Sequence, residues 1–425
     1  MSAVRAMSRR TFAALSVRNF RLYFVGQLIS VSGTWMQSIA LALLVLSDRL
    51  HGNGFDVGVT TALQFLPMLL VGSFGGLVAD RVDKRRLLFA TQASAGALAL
   101  VLGVMTATGT IRLWNVYLLA ALLGVVNLFD NPARQTFVSE MVGFDLMPNA
   151  ISLNSVLMNS ARVIGPAIGG VLILTVGYAS CFLVNAGSYV AVIVALAMMR
   201  PAELIRGKPV PRAKGQVREG LRYVRSTPDL LQPLLAVAVV GIFAFNFTTT
   251  LPLLAKISFD GGAGTYAAFS SAMGIGAVVG GLVVAHRSRP SSVLLALVGL
   301  AFGLAILVVS VAPTEVLTVV ALTVMGAFSI SFIATANATM QLRADPALRG
   351  RVMALYAIAL LGSTPIGGPL VGAISDASSP RVALAVGGIA TLAASSMLAL
   401  ARRRQGRAVE VPAPGPALGT RRPVL

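Results

Sequence analysis

Along most of this chain the apolar positions neither alternate nor recur on one helical face; they fill unbroken runs separated by short polar segments. A run of about 20 predominantly apolar residues can cross the hydrocarbon core of a bilayer as a helix. Twelve runs are that long, at about 22–46, 57–79, 87–108, 113–133, 151–175, 179–199, 231–255, 264–285, 292–312, 315–337, 352–374 and 381–401. The pattern therefore predicts an all-α membrane protein with twelve transmembrane helices. The first run follows Arg5, Arg9, Arg10, Arg18 and Arg21. It is too long for a signal core and more spans follow it, so it reads as an uncleaved first helix.

One segment interrupts the rhythm. Residues 200–230, RPAELIRGKPVPRAKGQVREGLRYVRSTPDL, are basic and contain proline. They divide the chain into a six-helix half at 1–200, a linker at 201–230 and a second six-helix half at 231–403. A basic tail at 404–425 has the composition of a disordered end. Within the linker Val217, Leu221 and Val224 share one helical face among Arg218, Glu219, Arg222 and Arg225. That arrangement suits a short helix lying on the membrane surface, and equally an exposed polar helix or coil. A repeat supports the division: Gly124, Gly165 and Gly170 have glycine counterparts at Gly326, Gly367 and Gly372, each 202 residues on. Two pseudo-symmetric bundles of six helices form one known transporter architecture, with the substrate near the midplane between them.

Composition agrees. Hydrophobic residues make up 56% of the chain and charged ones 12%, against about 25% charged in a soluble domain. The net charge of +19 does not mark a nucleic-acid binder, because the basic residues punctuate apolar runs instead of decorating a soluble face. With the N-terminus cytoplasmic, the inner segments carry 29 of the 34 basic residues and the outer segments four. This is the positive-inside bias, and both termini are then cytoplasmic. The lipid bilayer is the partner this charge requires; no nucleic acid is implied, and the chain reads as a monomer. One cysteine and two histidines exclude an internal disulfide and a zinc site built from the usual ligands. No cofactor, metal, nucleotide-binding loop or nucleophile–base pair is indicated, so the chain does not read as an enzyme and its coupling is to an ion gradient or to none.

The stretch Gly76-Leu-Val-Ala-Asp80-Arg81-Val-Asp83-Lys84-Arg85-Arg86 joins the second and third spans. Asp80 sits at the inner end of a helix, where an acid opposes the macrodipole and calls for a cationic or helix N-terminal partner. In the second half the matching stretch ends in His286-Arg287 and has lost the acid. A second constellation, Arg162-Val-Ile-Gly165-Pro166-Ala-Ile-Gly169-Gly170, lies in the fifth span. Proline there disturbs the helix and the glycines admit a close neighbour. Its repeat partner, Gly362-Ser-Thr-Pro365-Ile-Gly367-Gly368-Pro369, gives the second half a similar weak point.

With these boxes the chain resembles the major facilitator superfamily, and within it the enterobactin-exporter-like and macrolide/multidrug-efflux-like branch. The resemblance spans nearly the whole chain; Asp83 departs from it where many members carry glycine. It implies that Gly76, Asp80, Arg81 and Arg85 or Arg86 form a conformational latch to the start of the eleventh helix. It also implies that Arg162, Gly165, Pro166, Gly169 and Gly170 form an antiporter-type motif associated with export. A small-residue packing face and a set of orienting charges are the plainer readings of the same residues; for Lys84 orientation is preferred.

Charges inside spans are costly and mark function by default. Arg162 is the basic residue within a span away from its ends. Asp130 and Arg134 share a helical face if the fourth helix persists through Pro132. They fit an ion pair tying helix ends together or a charge relay, and with Arg162 and Asp80 an inner charge cluster. Asp130 is the one acid near the interior, so proton coupling is implied by the resemblance and not by the residues. The resemblance also draws the cavity from the first, fourth, seventh and tenth helices. Its polar or aromatic candidates are Gln27, Ser30, Trp35, Gln37, Asn127, Phe245, Asn246, Thr249, Ser329, Ser331 and Asn337. Each alternatively serves as an interhelical hydrogen-bonding group. The expectation is a secondary active transporter of the bacterial inner membrane exporting drugs or a small amphipathic metabolite. The alternatives are a siderophore-specific exporter, an importer and a non-transporting membrane receptor.

Overall fold

The computed structural model describes residues 12–205, 216–286, 291–346 and 348–408, without the side chains of 73–77, 79, 80, 144, 216–218, 285, 286 and 402–408. The basic tail expected from residue 404 therefore lies largely outside the described residues. Twelve helices are long and apolar enough to cross a membrane. They are α1 (Arg18–Val45), α2 (Gly54–Arg81), α3 (Lys84–Ala107), α4 (Leu113–Gly143), α5 (Asp145–Thr175), α6 (Tyr178–Met198), α7 (Pro228–Ser258), α8 (Ala263–His286), α9 (Ser292–Val311), α10 (Glu315–Arg343), α11 (Arg349–Ala377) and α12 (Pro380–Ala408).

Several helices outrun their apolar runs. α4 continues through Pro132 to Gly143, well past the expected end near 133, and α5 starts at Asp145 instead of 151. Both extensions are polar enough to leave the bilayer. They meet at Gly143, whose φ of 71° permits the reversal without a Cβ penalty.

The 202-residue repeat reappears in three dimensions. Gly124 of α4 lies against the carbonyls of Leu63 and Gln64 on α2, and Gly326 of α10 against Met273 on α8. Gly165 of α5 presses on Ser32 and Trp35 of α1, and Gly367 of α11 on Ile242 and Asn246 of α7. Gly170 faces α8 at Ala267, and Gly372 faces α2 at Gly54. Each glycine pair removes a side chain at the same crossing in both halves, where backbones must approach closely.

The expected weak points differ between halves. α11 breaks at Gly362–Ser363 between Arg349–Leu361 and Thr364–Ala377. α7 breaks at 244–246 between Pro228–Phe243 and Phe247–Leu253. The two breaks are neighbours, since Gly241 lies directly against the Ser363 hydroxyl. α5, by contrast, stays helical across Pro166; its one non-helical residue lies at the α4 junction.

The end carrying the basic loops, called here the basic end, is tied within each half. Lys84 at the start of α3 pairs with Glu140 near the end of α4 at 2.6 Å. The Arg85 guanidinium donates to the carbonyls of Leu196 and Ala197 at the end of α6. Asn19 exchanges two hydrogen bonds with the Arg200 backbone. In the other half Arg343 pairs with Asp229 at 2.9 Å. The linker forms a helix at Gln216–Ser226. It docks on the second half through an Arg351–Glu219 pair at 2.5 Å and the Asp345 N–H donating to the Tyr223 hydroxyl. Val224 of that helix is fully buried and Leu221 exposed. Each half is thus braced as one body at the basic end.

Candidate transport pathway between the two halves

Contact between the halves lies away from the basic end. On one side of the molecule α2 meets α11. Gly54 and Gly58 are spaced by four, as are Gly368 and Gly372, so each pair lines one helical face and the two faces meet. A methyl on Gly368 would come within 2.8 Å of the Gly58 carbonyl, and one on Gly54 within 2.9 Å of the Gly372 carbonyl. The carboxylate of Asp376, at the far end of α11, then caps α2 from the opposite half. The Gly54 and Phe55 N–H groups donate to its two oxygens, both at 2.7 Å. These N–H groups start a helix and have no intrahelical acceptor, so the acid satisfies them and complements the positive helix end. Behind them Asn53 and Asp56 form a reciprocal capping box, and the Tyr117 hydroxyl donates to Asp56 at 2.6 Å.

On the other side α5 meets α8. Gly170 contacts Ala267, Gly274 contacts Val163 and Arg162, and the Ser271 hydroxyl donates to the Val163 carbonyl at 3.4 Å. Inter-half hydrogen bonds among the described residues lie at the far end, at Gly54 and Phe55 with Asp376, and at mid-span, at Ser271 with Val163. Toward the basic end the α2–α11 contact runs to Leu69 against Gly362. Beyond it Leu70, Val71, Ile358 and Leu361 are exposed, as are Ile151 and Val156 of α5 and Val279 and Leu282 of α8. The halves are closed at the far end and parted at the basic end.

A cavity of about 30 Å³ lies in the seam between α1, α5, α7 and α8. Its wall includes Trp35, Arg162, Pro166, Thr248, Tyr266 and Ser270. The Arg162 guanidinium stands 5.0 Å from the centre of the Trp35 ring. Gly165 and Gly169 let α5 lie directly on α1, which carries Trp35, while Gly170 faces the opposite half. The glycine-rich motif of the fifth helix therefore sets both the internal packing and the seam.

The other residues singled out from the sequence are distributed differently. The side chains of Gly76 and Asp80 lie outside the described residues; Arg81 and Arg86 are exposed and Arg85 is held in its own half. Lys84, read as an orienting charge, has a partly buried partner. α4 does persist through Pro132, and Asp130 pairs with Arg134. Asp130 is 2% exposed and also accepts hydrogen bonds from Thr91 at 2.7 Å and Gln92 at 2.8 Å. All of these partners belong to the first half. Arg162 makes no ion pair among the described residues, so the expected inner cluster is not assembled around it.

Gln37 accepts from Asn185 of α6 at 2.7 Å, inside the first half. Asn246 bridges the α7 break, donating to the Ile242 carbonyl at 2.6 Å. Gln27 is buried and Asn127 half-buried, and Asn337 accepts from Gln341 one turn on. Of the polar and aromatic candidates, Trp35 lines the inter-half cavity.

A family model described as a transmembrane secretion effector matches residues 9–415. The Staphyloferrin A transporter of Staphylococcus aureus is 25% identical over 88% of this chain and 93% of its own length. The multidrug efflux pump Tap of Mycolicibacterium fortuitum is 27% identical over 84% and 89%. The MFS-type transporter YfiS of Bacillus subtilis is 26% identical, over 63% of this chain and 64% of that protein. Among solved structures, an inward-facing, unoccupied bacterial homologue of the human lysosomal transporter Spinster superposes with a TM-score of 0.69 at 15% identity, over 91% of this chain and 95% of that one.

Proposed function

The chain belongs to the transmembrane secretion effector family of major facilitator transporters, and from that premise we propose that it exports amphipathic small molecules, drugs or a secreted metabolite, across the bacterial inner membrane by alternating access. The basic loops face the cytoplasm on the positive-inside argument, so the conformation described is inward-open. The observation that carries the reading is the asymmetry of the seam: glycine faces and the Asp376 cap join the halves at the end away from the basic loops, while toward the basic end residues of α2, α5, α8 and α11 are exposed. Rocking each braced half about the α5–α8 and α2–α11 contacts exchanges the two openings.

The loop-box latch then belongs to the opposite state. Arg81 and Arg86 are exposed on the cytoplasmic side and meet the start of α11, together with Asp80, when the inner end closes. Transport draws on the proton gradient. Asp130, with both oxygens occupied, acts as the structural partner of Arg134 rather than as the relay. In intact bacteria expressing the chain, a dye from a panel that includes neutral Nile red and a fluorescent amphipathic carboxylate accumulates less than in vector controls, and a protonophore removes the difference. Equal accumulation with and without the protein contradicts the reading.

A further inference from the structure

Arg162 is unexplained by the gate. A cation at mid-span carries a large desolvation cost, and such residues pair with acids or backbone carbonyls, or serve a transported group. Here the Trp35 ring engages the guanidinium through its face at 5.0 Å. That contact leaves the in-plane N–H donors unused, and the buried Nε has no hydrogen-bond partner. The one acid of its own half that lies near the span interior, Asp130, is saturated by Arg134, Thr91 and Gln92.

We propose that Arg162 and Trp35 form an anion-recognition subsite in the seam cavity, selecting amphipathic compounds that carry a carboxylate or a comparable anionic oxygen group. The proposal rests on the exporter reading and names its substrate class. A volume of about 30 Å³ accommodates a few atoms and not a whole amphipathic molecule, so only the headgroup enters and the apolar remainder lies outside it. Ser270 and Tyr266, from the opposite half, line the same cavity and offer hydroxyl donors. A methyl on Gly274 of α8 would come within 3.6 Å of the Arg162 side chain, so the guanidinium stem sits in the seam itself. An anion bound here touches both halves, and its binding energy reports on their relative position.

The approach to the site is polar as well. Ser152, Ser155, Asn159 and Arg162 are spaced by three or four residues and so share one face of α5. Ser152 and Ser155 are exposed toward the basic end. Each of these three uncharged side chains donates to a carbonyl one turn earlier. The stripe is therefore wettable without presenting a competing charge.

Trp35 makes the proposal directly measurable. The chain has one other tryptophan, Trp114, which is 61% exposed, so full-length protein carrying Trp114→Phe in lipid nanodiscs reports on Trp35 alone. The probes are 3-iodobenzoate, 3-iodobenzamide and 3-iodobenzylamine, matched in size and quenching tryptophan by the heavy atom. The expected result is saturable quenching by iodobenzoate in preference to the other two. Arg162→Gln weakens it by about tenfold to a hundredfold, the value of a charge-assisted contact, and Arg162→Lys recovers part of it. Equal quenching by all three probes, an unchanged preference in Arg162→Gln, or no saturable iodobenzoate quenching by folded protein overturns the proposal. Should Arg162→Gln fail to fold, the preference of the Trp114→Phe protein among the probes decides alone. Anion-selective quenching without dye export in cells refutes the exporter reading and leaves the subsite standing.

Discussion

Removing the carboxylate of Asp376 should release the outer gate. The Asp376→Ala change deletes two hydrogen bonds of 2.7 Å and leaves the first N–H groups of α2 without acceptors. A hydrogen bond to a charged group is worth about 1.5–3 kcal/mol when shielded. Asp376 is exposed, and water replaces part of the loss, so about 1 kcal/mol per bond is the appropriate scale. The sum of about 2 kcal/mol moves the balance between outer-closed and outer-open forms by roughly 30-fold. Spin labels on Thr110→Cys and Pro313→Cys, in loops at the outer end of opposite halves, read this as a longer distance population in pulsed dipolar spectroscopy. Cys181→Ala supplies the background. Glu315→Ala is the control, because Glu315 bonds Thr265 in its own half. A distance distribution unchanged by Asp376→Ala, or shifted equally by Glu315→Ala, refutes the assignment of Asp376 as the gate.

Three further outcomes follow from the packing. Gly58→Val places a side chain against the Gly368 backbone, so the same labels report an opened outer end and dye export falls, while unchanged spectra contradict the glycine seam. Asp130→Asn strands Arg134 in a buried setting and lowers stability by about 2–4 kcal/mol. It is read as a lower Tm, partly restored by adding Arg134→Gln, with gradient dependence intact in the molecules that fold; loss of coupling without loss of stability would make Asp130 a relay. Lys84→Ala removes the partner of partly buried Glu140 and lowers Tm by the equivalent of about 1–2 kcal/mol, whereas an unchanged Tm would return Lys84 to the role of an orienting charge.

The membrane spans were legible because the bilayer imposes one length scale on apolar runs. The glycine repeat was legible because close crossings recur in both halves. Helix rotation was not. In a bilayer the face toward lipid is as apolar as the face toward a neighbour, so the sequence of α1 does not reveal that Gln37 points into its own half and Trp35 into the seam. Asn246 was misplaced for a related reason: a helix break needs its freed carbonyls satisfied, and the asparagine is consumed locally. Asp376 escaped notice because its partners, Gly54 and Phe55, lie more than 300 residues away and are backbone groups without a side-chain signature. Arg162 stood out in the sequence because its cost in the membrane does not depend on knowing its neighbours.

The direction of transport is measured in paired preparations of everted and right-side-out membrane vesicles energised by a proton gradient. A fluorescent amphipathic carboxylate is expected to accumulate in everted vesicles, whose basic face is outside, and not in right-side-out ones, and to require the gradient. Accumulation in right-side-out vesicles, or equal movement in both, contradicts export.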